Sequence, residues 1–167
     1  CTYKRKQIYY YRLVSFYKMR IEDNFLNNVY FNFLYQKLTD NYFPYYFQKS
    51  KVLDNDNNIQ FTHLFFQKSK KVSDHTNLIK PLLEKLDVKE VFKAKINFTY
   101  KEKEIKPFLY HVDVDYAKGN TAIFYMNTNN GKTLFENGKE VDSIANRIVV
   151  FANNLQHTGT THTNTDY

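Results

Sequence analysis

Near residue 91 the spacing of apolar side chains changes from helical to alternating, and this change limits what the chain can fold into. Upstream, Leu26, Tyr30, Phe33, Leu34 and Leu38 recur at helical spacing. They predict a helix over residues 23–38, with Asp23 or Asn24 as its N-cap. Leu78, Ile79, Leu82, Leu83 and Leu86 predict a second helix over residues 75–86. Pro81 falls in its first turn, where a missing N–H costs little. Between the helices, residues 40–58 read as loop with short extended pieces, broken by Pro44 and the turn cluster Asp54-Asn55-Asp56-Asn57-Asn58. Residues 59–66, rich in aromatics and Thr, read as a strand.

Downstream of the change, Phe92, Ala94, Ile96, Phe98 and Tyr100 share one strand face, while Lys93, Lys95, Asn97 and Thr99 share the other. Residues 108–116, 121–127, 133–136 and 147–152 read as further strands. Asn129-Asn130-Gly131 and Asn137-Gly138 supply turns, the second a strong hairpin signal. Two helices before a run of short antiparallel strands predict an α+β domain. Its strands pack as a sandwich or barrel and its helices buttress one face. Residues 1–20 are basic and tyrosine-rich and read as an N-terminal extension of undetermined structure. Residues 21–167 read as one domain.

A chain of 167 residues suits a single core, and 4 Gly and 3 Pro leave no obvious hinge. The net charge of +7 permits contact with nucleic acid. The charges are scattered, however, and Lys4-Arg5-Lys6 and Lys68-Ser69-Lys70-Lys71 read as solvated faces. Cys1 is the sole cysteine, so no internal disulfide forms, which fits a reducing, cytoplasmic setting. No apolar run approaches the roughly 20 residues that span a bilayer, and no signal-peptide pattern occurs, so no membrane partner is expected. Tyr and Phe number 15 each and Trp 0. An AT-rich coding sequence accounts for that bias without base-stacking platforms.

The segment that carries chemistry is Tyr110-His111-Val112-Asp113-Val114-Asp115. Residues two apart on a strand project to one face, so His111 and Asp113 can converge on one metal ion. His157 lies far enough downstream for the intervening strands and turns to return the chain beside its starting strand. Two imidazoles and one carboxylate on one face leave adjacent positions open on an octahedral ion, the arrangement of non-haem Fe(II) oxygenases. His-x-Asp alone is weakly specific. Without further signal, His111 is a half-exposed strand residue and Asp113 a solvent-facing carboxylate.

Several further stretches follow in order: Thr121-Ala-Ile-Phe-Tyr-Met-Asn127, Asn130-Gly-Lys-Thr-Leu-Phe135, Asn146-Arg-Ile-Val-Val-Phe151 and His157-Thr-Gly159. Upstream lie Ile21-Glu-Asp-Asn-Phe-Leu26 and Lys93-Ala-Lys-Ile-Asn97. Together with His111-Val-Asp113 this run resembles the prolyl-hydroxylase-like branch of the Fe(II)/2-oxoglutarate-dependent dioxygenases. It looks closest to small members from phages and marine microbes, which implies a cytoplasmic protein that can be virus-encoded within a host cell. The resemblance covers residues 21–167. It implies a double-stranded β-helix, an antiparallel jelly roll with two buttressing helices. It also implies His111, Asp113 and His157 as iron ligands and Fe(II), 2-oxoglutarate and dioxygen as cofactors, with ascorbate as an optional reductant. The implied reaction hydroxylates a peptidyl residue of prolyl type, or a small metabolite, and converts 2-oxoglutarate to succinate.

By the same resemblance Tyr125, Asn97 and Thr133 are cosubstrate contacts. Read from the residues alone, Tyr125 is a core aromatic, Asn97 a structural hydrogen-bonding residue and Thr133 a plain strand residue. The family places a basic residue on the strand after the distal histidine, and residues 158–167 contain no Arg or Lys. The expectation is therefore a domain whose final strand lies beyond Tyr167.

The remaining candidates have plainer readings. His63 is expected to pack with Phe61 and Phe65, His75 to start the second helix, and His162 to lie exposed in a polar tail. Asp115 rivals Asp113 as the carboxylate, and His157, His162 and Asp113 form an alternative zinc set. Arg147 is a surface cation or pairs with an acid. Two alternatives to a hydroxylase acting on a protein, peptide or small-molecule substrate stand beside it. One is a catalytically silent jelly-roll binding or virion-associated module. The other is a nucleobase oxidative demethylase, which requires a nucleic-acid partner.

Overall fold

The computed structural model describes residues 19–49, 59–113 and 119–167. The turn cluster at 54–58, Asp115 and nearly all of the 1–20 extension lie outside them. The chain is α+β, mostly antiparallel sheet with two short helices. Strand β1 (Arg20–Glu22) leads to helix α1 (Asn28–Leu38). Strands β2 (Tyr46–Gln48), β3 (Gln60–Gln67) and β4 (Lys70–Lys71) follow. A 3-10 helix (Asp74–Ile79) runs directly into helix α2 (Lys80–Lys85), with Pro81 at its start. The remaining strands are β5 (Lys93–Phe98), β6 (Asn120–Phe124), β7 (Lys132–Phe135), β8 (Glu140–Asp142), β9 (Ile148–Ala152) and β10 (His157–Gly159).

Helix α1 starts later than the apolar spacing predicts. Its cap is Asn27, whose side chain accepts from the Tyr30 N–H at 2.9 Å. The two predicted caps do other work. Asn24 adopts φ +52°, which bends the chain before the helix. Asp23 accepts a two-pronged ion pair from Arg147, at 2.5 Å from Nε and 2.9 Å from Nη2, so Arg147 pairs with an acid. That contact holds the Asp23 carboxyl below its usual range. Leu26, read as part of the helix, precedes it and is buried.

Strand β9 organises the domain. It pairs antiparallel with β1 on one side and β6 on the other. Its apolar run is continuous because both of its faces are covered. Ile148 and Val150 face a cluster with Phe25, Leu34, Leu38 and Phe65, which joins the helices to β3 and β5. Val149 and Phe151 face a second cluster with Tyr125, Phe135 and Val141. That second cluster lies between the β1–β9–β6 sheet and the β10–β7–β8 sheet. Phe135 of β7 meets Phe151 of β9 edge-to-face, with ring centroids 4.9 Å apart.

The third sheet pairs β3 with β2, β4 and β5. Its register shifts between Leu64 and Phe66, a bulge that leaves Phe65 to enter the core. On β5 the predicted alternation holds. Ala94 and Ile96 join the core, while Lys93, Lys95 and Asn97 occupy the opposite face. The β7–β8 hairpin turns at Asn137-Gly138, where Gly138 takes φ +80° and a side chain would be strained.

The predicted strand over 108–116 is reduced, within the described residues, to one isolated bridge, His111 to His157, with a second just before it, Pro107 to Thr160. From residue 107 onward the chain alternates between sheets. It runs beside β10, enters β6, crosses to β7 and β8, returns to β9, and crosses again to β10. Among the described residues the strands do not close into a barrel. No described helix is long and apolar enough to cross a membrane.

Candidate metal centre

The bridge at His111 and His157 sets the site. The His111 N–H donates to the His157 carbonyl at 3.0 Å, and the His157 N–H returns to the His111 carbonyl at 3.0 Å. Directly opposed residues of an antiparallel pair send their side chains to the same face. The imidazoles accordingly stand 4.8 Å apart, centroid to centroid. Asp113, two residues beyond His111, turns its carboxylate toward both rings. Oδ2 lies 3.5 Å from His157 Nε2 and Oδ1 lies 4.0 Å from His111 Nε2.

Both rings are held in the tautomer a metal requires. His111 Nδ1 lies 3.2 Å from the Leu109 carbonyl, and His157 Nδ1 lies 3.1 Å from the Leu155 carbonyl. A carbonyl only accepts, so each Nδ1 carries the hydrogen and each Nε2 presents a lone pair. Burial pulls the His111 imidazole below its ordinary value, which favours the neutral, ligating form. Burial alone would push the Asp113 carboxyl up. The neighbouring His157, with His111 and Lys95 behind, outweighs it and holds the Asp113 carboxyl below its usual range.

The three donor atoms all lie within 4.8 Å of one another, and the group could hold a metal ion. Cis ligands of one ion stand about 3 Å apart at bond lengths near 2 Å. The 3.5 Å pair is close to that spacing, and small side-chain rotations bring in the third. The donor set fits a divalent metal that tolerates mixed nitrogen and oxygen ligands. No other group of three His, Cys, Asp or Glu meets the same test among the described residues.

His157 is buried, and its ring packs edge-on to Phe151 at 4.8 Å and near Phe135 at 6.2 Å. Asp113 and His111 are more open, with side chains 29% and 31% exposed. The centre is thus apolar behind and accessible in front.

Tyr125 and Thr133 are brought together. The Tyr125 hydroxyl lies 2.7 Å from Thr133 Oγ1, and both residues are buried. Burial pushes the phenol up to about 12, so it stays a hydrogen-bond donor in neutral solution. Thr133 pairs with Gly159, and Phe135 with His157. Thr133 is therefore one two-residue step from His157, roughly 7 Å along the same inner face. Asn97 is exposed on β5 and lines a small cavity of about 80 Å³ with Tyr35, Phe98, Asn127 and Tyr167.

His63 packs as expected. It is buried among Phe43 and Phe65, donates from Nδ1 to the Pro44 carbonyl at 2.7 Å and accepts at Nε2 from Ser73 Oγ at 2.7 Å. His75 starts the 3-10 helix. His162 corrects the expectation of an exposed tail. It is buried, and the alternative set with His157 does not form. The tail folds back because Asn130 and Thr163 bond reciprocally and because Glu102 N–H donates to the His162 carbonyl.

Lys95 is the residue the motifs do not single out. It shares a strand face with Asn97, and its charge acts on both Asp113 and His111. Parity along β5 was the available signal, but nothing in the sequence shows that this face looks toward the metal ligands.

No protein-family model matches this chain, and no curated protein matches its sequence.

Proposed function

We propose that the chain is an Fe(II)/2-oxoglutarate-dependent dioxygenase that hydroxylates a peptidyl residue or a small metabolite. The observation that carries this reading is the cross-strand pair of Nε2-presenting imidazoles with one carboxylate two residues beyond. Three protein donors on one face leave the adjacent positions of an octahedral ion free for cosubstrate and dioxygen. The path of the chain supports a double-stranded β-helix. Strands alternate between two facing sheets, with the metal ligands on the sheet that contains β10 and their side chains beside the intervening core.

Iron bound there, with 2-oxoglutarate and dioxygen, supplies oxidative decarboxylation to succinate coupled to hydroxylation. The protein's part is geometric. Leu109 and Leu155 carbonyls orient the two rings, and Phe135 and Phe151 exclude water from the His157 side. Tyr125 offers a protonated hydroxyl, paired with Thr133, on the inner face next to His157. These two remain the candidate cosubstrate contacts. Asn97 is a third, placed at the far end of β5.

The test is spectroscopic. Fe(II) and 2-oxoglutarate added without oxygen should give a weak visible charge-transfer band, lost in His111→Ala and in Asp113→Ala. A folded wild-type protein that binds iron yet gives no band supports the silent binding module instead.

A further inference from the structure

A groove of about 740 Å³ lies over the third sheet, lined in part by Tyr46, Thr62, Leu64, Ser73, Lys93 and Lys95. It is separate from the small cavity at Asn97. Lys93 and Lys95 are two apart on β5, on the face opposite core residues Ala94 and Ile96. Their stems therefore emerge side by side, roughly 7 Å apart. Among the described residues neither lysine has a carboxylate within ion-pair distance, whereas Lys80, Lys85, Lys89, Lys106 and Lys132 all do. Among the described residues, Asp74 is the one acid in the groove wall. Two like charges held together on one strand face repel, and an anion placed between them relieves that cost. Lys95 also stands within electrostatic reach of Asp113 and His111.

We propose that the groove is the substrate cleft and that Lys93 and Lys95 anchor an acidic group on the substrate. This rests on the dioxygenase reading for the word substrate, but the anion site itself does not depend on iron. A groove of this size exceeds what a compact cosubstrate fills and matches a ligand of drug or short-peptide dimensions. The anchor fixes how far along the groove the ligand sits. The wall residues Tyr46 and Thr62 bring hydroxyls for uncharged parts of the same ligand. Among the described residues the groove wall contains no Arg to fork around a phosphate, so a carboxylate is the favoured anion.

The test uses the full chain freed of metal, titrated separately with succinate and with inorganic phosphate while backbone amide resonances are followed. The expected result is saturable binding with shifts centred on β3 and β5, tighter for succinate. Affinity should fall about tenfold in Lys95→Met and in Lys93→Met, the loss of one charge-assisted hydrogen bond. Lys95→Arg should retain binding, and Lys37→Met on helix α1 should leave it unchanged. Tighter binding of phosphate would keep the anchor and change the substrate class. Absence of saturable binding, equal affinity in the folded Met variants, or shifts that map elsewhere would overturn the proposal. His111→Ala separates the two readings, since it should abolish iron binding and leave the anion titration intact.

Discussion

The hydroxyl of Tyr125 can donate its one hydrogen either to Thr133 or to an incoming ligand. Because the phenol is buried and held protonated to about pH 12, the donor itself does not change with working pH. Its partner is equally buried, so deleting one hydroxyl orphans the other. An unsatisfied buried polar group costs about 1–3 kcal/mol, whereas removal of both partners can be near neutral. Tyr125→Phe and Thr133→Val should each lower unfolding free energy by about 1–2 kcal/mol in urea. The double variant should lose less than the sum, which is the signature of a coupled pair. Additive losses would mean that the two hydroxyls are satisfied independently and that the 2.7 Å contact is incidental.

At the scale of elements, the junction before β9 ties the N-terminal segment to the sheet. Asn146 takes φ +62° and is 3% exposed. Its side chain accepts from the Leu26 N–H at 2.8 Å and donates to the Leu26 carbonyl at 2.8 Å. Its backbone accepts from Phe25 N–H at 2.8 Å and donates to the Tyr125 carbonyl at 2.9 Å. Asn is among the few residues that adopt this conformation cheaply while satisfying a buried peptide. Asn146→Ala loses both side-chain bonds and strains the turn, so a destabilisation of about 3 kcal/mol is expected. Asn146→Gly relieves the backbone and isolates the hydrogen-bond loss, and should fall between wild type and Ala in chemical denaturation. Equal stability of Ala and wild type would remove Asn146 from this role.

The same junction shows what could be read from residue order. The alternation in β5, the hairpin at Asn137-Gly138 and the apolar run of β9 each follow from a local period or turn chemistry, and each was legible. Asn27 was hidden because Asp23 and Asn24 are equally good caps by type. Long-range partners decide between them, and Arg147 claims Asp23. The segment around His111 reads as a strand by alternation, yet it makes only isolated bridges. The short strands β1, β2, β8 and β10 have three residues each, too few for a period to register. His111-Val-Asp113 was legible as a pair by spacing alone. The strand-and-turn count allowed His157 to return beside this pair, but the resemblance was needed to select it, because the union depends on pairing across chain segments that no local pattern encodes.

For the molecule as a whole, the metal centre links two chain segments that pair through the isolated bridges Pro107 to Thr160 and His111 to His157. An ion that binds the folded chain and not the unfolded one stabilises it by mass action, about 2.7 kcal/mol at a hundredfold excess over its dissociation constant. In a domain of this size that corresponds to a rise in Tm of about 5–10 °C. Anaerobic Fe(II), or Mn(II) as a redox-inert substitute, should produce such a rise at pH 7. There the depressed Asp113 is a carboxylate and the depressed His111 is neutral, so both are already in ligand form. The sign with pH follows from proton competition. As pH falls through the depressed range of His111, protons contend with the metal for its imidazole and the rise in Tm should shrink. Asp113→Ala and His157→Ala should abolish it at every pH while leaving the metal-free Tm within a few degrees of wild type. Persistence of the full rise in either variant would show that the ion binds elsewhere, and the three side chains would then be neighbours without being ligands.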